Sequence, residues 1–178
     1  MHEESKLNEA RYFYSRMLSE TENQENLLFD LSAFLSAARS VLQYALGEAR
    51  LKPGGQQWYD NNITSSKVLG FFKDKRDINI HMQPVQLRQH TSIQMTEVVR
   101  VSESIHIKKF DETGQLVGEY SSQPTEPPPP PEIPPKITHR FTFPDWSGNE
   151  DVLQLCDLYL SELKRVVADG QTKGFLTR

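Results

Sequence analysis

The stretch FFKDKRDINIHMQP, residues 71–84, holds the residue types best suited to chemistry in this chain. Lys73, Asp74, Lys75, Arg76 and Asp77 are followed by Asn79 and His81. A histidine with an ordinary pKa of about 6.5 moves protons at neutral pH. A guanidinium grips a phosphate in a two-pronged way. Four residues separate Arg76 from His81. On a regular helix, five steps put the two roughly 140° apart around the axis, so they do not share a face. They converge only if the helix end unwinds near Pro84, or if a second subunit completes the site.

The other candidates read as structural. Arg100 and His106 form a second Arg–His pair with five residues between them, but in a strand region. His90, His106 and His139 have no metal-ligand spacing. Cys156 sits on an apolar helix stripe, where a small buried hydrophobe is the plain reading. Trp58, Tyr59, Phe71 and Phe72 have the faces to stack bases, but their helical placement favours core packing. Lys108 and Lys109 fit the protection of a strand edge. Gly54-Gly55 lacks the rest of a phosphate-binding loop. No cofactor and no metal are expected.

Helices must position residues 71–84. The first is expected from Ser5 to Ser19, with Leu7, Ala10, Tyr14, Met17 and Leu18 as its stripe. The second has capping-box spacing at Thr21 and Gln24. Its stripe is Leu27, Leu31, Phe34, Leu35, Ala38, Val41, Leu42 and Ala45. Lys52-Pro53-Gly54-Gly55 ends it. A short third helix covers Gln56 to Ile63. A fourth starts near Ser65, carries Val68, Leu69, Phe71, Phe72 and Ile78, and ends at Pro84.

The period then changes to two. Ile93, Met95, Glu97, Val99 and Val101 share one strand face. Ser104 to Phe110 and Gln115 to Tyr120 flank a turn at Asp111-Glu112-Thr113-Gly114. Residues 124–135 hold eight of the eleven prolines and read as an extended surface loop. Lys136 to Phe143 is another strand. Ser147 and Glu150 have capping-box spacing before a last helix over 149–168. Its stripe is Val152, Cys156, Tyr159, Leu160, Leu163, Val166 and Val167, with Gly170 as the stop.

The expected fold is therefore α+β and predominantly α. It is an antiparallel helical bundle (residues 3–84) with a β-hairpin or small antiparallel sheet (91–143) inserted before a C-terminal helix (149–168) that packs on the bundle. One domain over 1–178 suits a chain of 178 residues. Twenty basic against twenty-four acidic residues give a net charge of −4, which does not mark a general polyanion binder. A single cysteine excludes an internal disulfide. No apolar run approaches the ~20 residues that span a bilayer. The polar start MHEESKLNEA is unlike a signal peptide. A cytoplasmic location without membrane contact is expected.

An N-terminal helical bundle with Arg76, the polar Asp77 and then His81 near the end of a late helix resembles the HEPN superfamily. The resemblance covers about residues 5–85 and extends in part to the last helix. Many members place this motif at a homodimer interface as a metal-independent ribonuclease site. The resemblance implies His81 as general acid or base, Arg76 as phosphate clamp, and Asp77 as an orienting group. It also implies a homodimer, RNA as the substrate, and a toxin-like or defence-associated role. The alternative is a non-catalytic HEPN-like binding or assembly module, such as the partner of a nucleotidyltransferase. The plainest reading of Arg76 and His81 is a solvated helix end, where the dipole favours cations.

Overall fold

The computed structural model describes residues 2–19, 23–81, 86–96, 104–122 and 134–177. The chain is mixed α+β and predominantly helical. Its helices are α1 (His2–Ser19), α2 (Gln24–Ala49), α3 (Gly55–Ser65), α4 (Lys67–His81) and α5 (Val152–Thr172). Between α4 and α5 come β1 (Arg88–Gln94), β2 (His106–Phe110), β3 (Leu116–Ser121) and β4 (Lys136–Thr142). They form two small antiparallel sheets, β1 with β4 and β2 with β3. Two compact units result. One is Met1–Ser92 with Thr138–Arg178, and the other is Ile93–Ile137.

In the larger unit, α2 is the central element and packs on α1, α3, α4 and α5. All eight positions of its expected stripe are buried. Its cap is not the expected one. Asn23 is the N-cap, and its side chain accepts from the N–H groups of Glu25 and Asn26 at 3.0 and 3.2 Å. Thr21 lies outside the described residues.

Three aromatic rings join the helices at the centre. Phe72 of α4 stacks on Tyr159 of α5, with centroids 4.5 Å apart and planes 7° from parallel. Phe34 of α2 meets both rings edge-on, at 6.4 and 6.1 Å. Trp58 of α3 donates its indole N–H to Asp169 of α5 at 2.6 Å. That bond is the main cause holding the Asp169 carboxyl below its usual range.

Two details of α5 differ from expectation. Its capping box is Asp151 with Gln154, not Ser147 with Glu150. The Asp151 carboxylate accepts from Gln154 N–H at 2.8 Å, and the Gln154 side chain returns a bond to Asp151 N–H at 2.9 Å. Gly170 does not stop the helix, which continues to Thr172 before Gly174 turns at φ +76°. Gly170 is buried inside it because a Cβ there would lie 2.7 Å from Leu176 and 2.8 Å from Trp58. This makes a test with a defined sign. On helix propensity alone, Gly170→Ala gains up to about 1 kcal/mol. With overpacking it is expected to lose about 1–3 kcal/mol. A urea unfolding midpoint below that of the wild type is the expected result, and a raised midpoint would remove this packing.

The ribbon of β1 and β4 is attached to the core through β4. Phe141 is buried at alternate spacing with Phe143, just past the strand end, while β1 is exposed throughout. The strand expected over 93–101 begins earlier, at Arg88, and residues 97–103 lie outside the described ones. Pairing with β4 sets these bounds, and Ile93 and Met95, the described members of the apolar alternation, are exposed. Within the proline-rich stretch only residues 134 and 135 are described.

The smaller unit is the β2–β3 hairpin. The expected turn is present: Asp111 N–H donates to the Gln115 carbonyl at 2.9 Å, and the Asp111 carboxylate accepts from Thr113 and Gln115 N–H. Ile107 pairs with Tyr120 and Lys108 with Glu119. Every residue of both strands is exposed. No helix among the described residues is long and apolar enough to cross a membrane.

Candidate functional site

Helix α4 is fixed by both of its faces. Leu69 and Phe72 are fully buried among α2, α3 and α5. On the other side it meets the segment after β4. Phe71 packs edge-on against Trp146 at 4.9 Å and Phe143 at 5.3 Å. The Lys75 ammonium sits 2.6 Å from an Asp145 carboxylate oxygen, with the Phe71 and Phe143 rings at 5.3 and 5.4 Å. Lys67 donates to the Ser147 hydroxyl at 2.7 Å and lies 4.5 Å over the Trp146 ring. The segment 143–147 thus holds α4 from Lys67 to Lys75.

Arg76, Asp77 and His81 occupy the next turns of this helix. The backbone stays helical through His81, and the side chains of residues 76–81 lie outside the described ones. On a regular helix the Cα positions of Arg76 and His81 stand about 140° apart. Unwinding between the two, one of the two routes to convergence, is not what the backbone does. Pro84 lies outside the described residues.

The charge around α4 is more balanced than its own sequence suggests. From Lys67 to Arg88 the window carries Lys67, Lys73, Lys75, Arg76 and Arg88 against Asp74 and Asp77. The fold adds Asp145 against Lys75. It also brings Glu150 towards Lys67. The Trp146 indole donates to Glu150 at 2.7 Å. That bond, with the Lys67 charge as a lesser cause, holds the Glu150 carboxyl below its usual range. Lys73 and Arg88 are exposed and make no ion pair among the described residues.

The histidines of the strands are tied to strand neighbours. His90 Nε2 is 3.1 Å from the Thr142 hydroxyl, and His139 Nδ1 is 2.9 Å from Gln89 and 3.1 Å from Thr91. His106 Nε2 is 3.4 Å from the Ser121 hydroxyl, while Arg100 lies outside the described residues. No group of three His, Cys, Asp or Glu among the described residues could hold a metal ion. Cys156 is fully buried, and burial pushes its thiol well up, away from nucleophilic use. Trp58 and Tyr59 are core residues, buried with Phe72.

One feature escapes the sequence pattern. Arg88 of β1 and Arg140 of β4 line a cleft of about 300 Å³ together with Thr142, Trp146, Gly148 and Glu150. Arg140 donates to the Asn149 carbonyl and lies 3.6 Å from Asp151. The two arginines are far apart in sequence and flank no motif, so only strand pairing reveals them as a pair. No family model, no curated protein and no solved structure matches this chain.

Proposed function

We propose that the chain is a HEPN-like, metal-independent ribonuclease that works as a homodimer. The observation carrying this reading is α4 itself: a helix anchored along Lys67–Lys75 that remains helical through Arg76, Asp77 and His81. RNA brings its own nucleophile. His81 takes the 2′-hydroxyl proton as the 2′-oxygen attacks phosphorus, and the 5′-oxygen leaves with a proton returned by an acid. Arg76 grips the phosphate as negative charge grows on its oxygens. Asp77 orients one of these groups or the nearby backbone. The angular separation of the two positions on α4 favours a site completed by a second copy. The direct test is RNA cleavage in chelator by the wild type, Arg76→Ala and His81→Ala, with folding checked by circular dichroism. Cleavage by the wild type and its loss in both variants is the expected result. Full activity in either variant removes the assigned roles.

A second reading rests on the hairpin. Ile107, Phe110, Val117 and Tyr120 are each more than half exposed, on a unit whose described residues include no buried hydrophobic side chain. Such a surface suits a non-catalytic binding or assembly module. A stable dimer that binds a protein partner and leaves RNA intact would select it.

A further inference from the structure

We infer that the cleft between β4 and the start of α5 is a subsite for a backbone phosphate of a single RNA strand. This inference rests on the ribonuclease reading and extends it to how the substrate is held. Two guanidinium groups, Arg88 and Arg140, line the same small space. Arg140 already faces the Asp151 carboxylate, whereas Arg88 has no such counter-charge among the described residues, and guanidinium is suited to a planar, two-pronged grip on phosphate. Arg140 is held by the Asn149 carbonyl and by Asp151, which leaves other donors of its fork without a partner among the described residues. Arg88 is exposed and has no ion-pair partner among the described residues.

The wall of the cleft is built rather than incidental. The Trp146 indole is fixed by its bond to Glu150, by the Lys67 ammonium over the ring and by the edge of Phe71. A Cβ on Gly148 would lie 1.9 Å from Glu150 Oε2 and 2.4 Å from Trp146 Nε1. Glycine at that position lets the turn close over the Trp146–Glu150 bond. Among the described residues Glu150 is the one carboxylate lining the cleft, and the Lys67 ammonium offsets its charge while Asp151 offsets Arg140, so Arg88 remains as the unmatched charge. The net demand of the cleft is therefore for an anion. The same segment grips α4 at Lys67 and Lys75, so a strand bound here lies beside the helix that carries Arg76 and His81.

The test uses a 5′-fluorescein oligoribonucleotide with 2′-O-methyl groups, which binds but cannot be cleaved through its 2′-oxygen. Fluorescence anisotropy with the full chain gives Kd over a salt series. Arg88→Ala is expected to weaken binding roughly 3- to 10-fold at low salt and to lower the salt slope by about 1. Arg88→Lys is expected to recover part of the loss. Lys164→Ala, an exposed cation on α5, is the control and is expected to leave Kd within about twofold. No binding by the wild type, wild-type Kd in Arg88→Ala, or an equal loss in Lys164→Ala would each overturn the subsite. Cleavage assays on unmodified RNA separate the two readings. Cleavage by the wild type with unchanged binding in Arg88→Ala sinks the subsite alone. Arg88-dependent binding without cleavage keeps the subsite and sinks the ribonuclease.

Discussion

Replacing Phe72 with alanine is expected to destabilise the larger unit by about 3–5 kcal/mol. Its ring is fully buried, stacks on Tyr159, and meets Phe34, Phe71 and Phe143 edge-on. Truncation removes the transfer energy of the ring and leaves a hole that four other rings cannot close without leaving their own contacts. Domains of this size are stable by only about 5–15 kcal/mol, so the loss is a large share of the total. Tyr159→Phe supplies the contrast in the same stack. The Tyr159 hydroxyl is buried with no hydrogen-bond partner among the described residues, and burial pushes its phenol well above the usual range. Removing an unsatisfied buried hydroxyl while keeping the ring is expected to leave stability unchanged or to raise it. Urea unfolding of both variants reads the pair. A loss below about 1 kcal/mol in Phe72→Ala would mean that α4 is not the packed platform described here.

Local signals carried the helices well. The eight-position stripe of α2 was legible because helical periodicity over many residues depends on the chain alone. The Asp111–Gly114 turn was legible for the same local reason. Where choices between neighbours mattered, the sequence misled. Asn23 and Asp151 cap α2 and α5, although other residues nearby had suitable spacing. Several polar residues before each helix can cap it, and packing of the helix against the core decides which does. Gly170 looked like a stop signal but is a contact point for Trp58 and Leu176, which approach from elsewhere in the chain. The partner of Lys75 was invisible for the same reason, since Asp145 reaches α4 only by way of β4. The Arg88–Arg140 cleft needs two paired strands to exist at all. Arg76, Asp77 and His81 were legible as residue types on a helix. Their use depends on what stands opposite α4, and that is not written in α4.

Mixing two inactive variants is expected to restore part of the RNA cleavage. Alone, His81→Ala should lower the rate by about 10²–10⁴, the usual contribution of a positioned acid or base. Arg76→Ala should lose a comparable factor through the lost phosphate grip. If each site joins Arg76 of one copy to His81 of the other, a two-fold dimer has two such sites. A mixed dimer of the two variants then has one site with both residues intact and one with neither. Random exchange of equal amounts makes half of the dimers mixed, so recovery of about one quarter of wild-type activity is expected. The helix geometry is the reason to expect this arrangement, since α4 holds its two positions about 140° apart to the end of His81. Mixing followed by cleavage in chelator measures it, with subunit exchange confirmed by mass spectrometry. A mixture as inactive as its parts, despite exchange, would place both residues in a site within one copy. Activity in the separate variants at the wild-type level would take the chemistry away from α4 altogether.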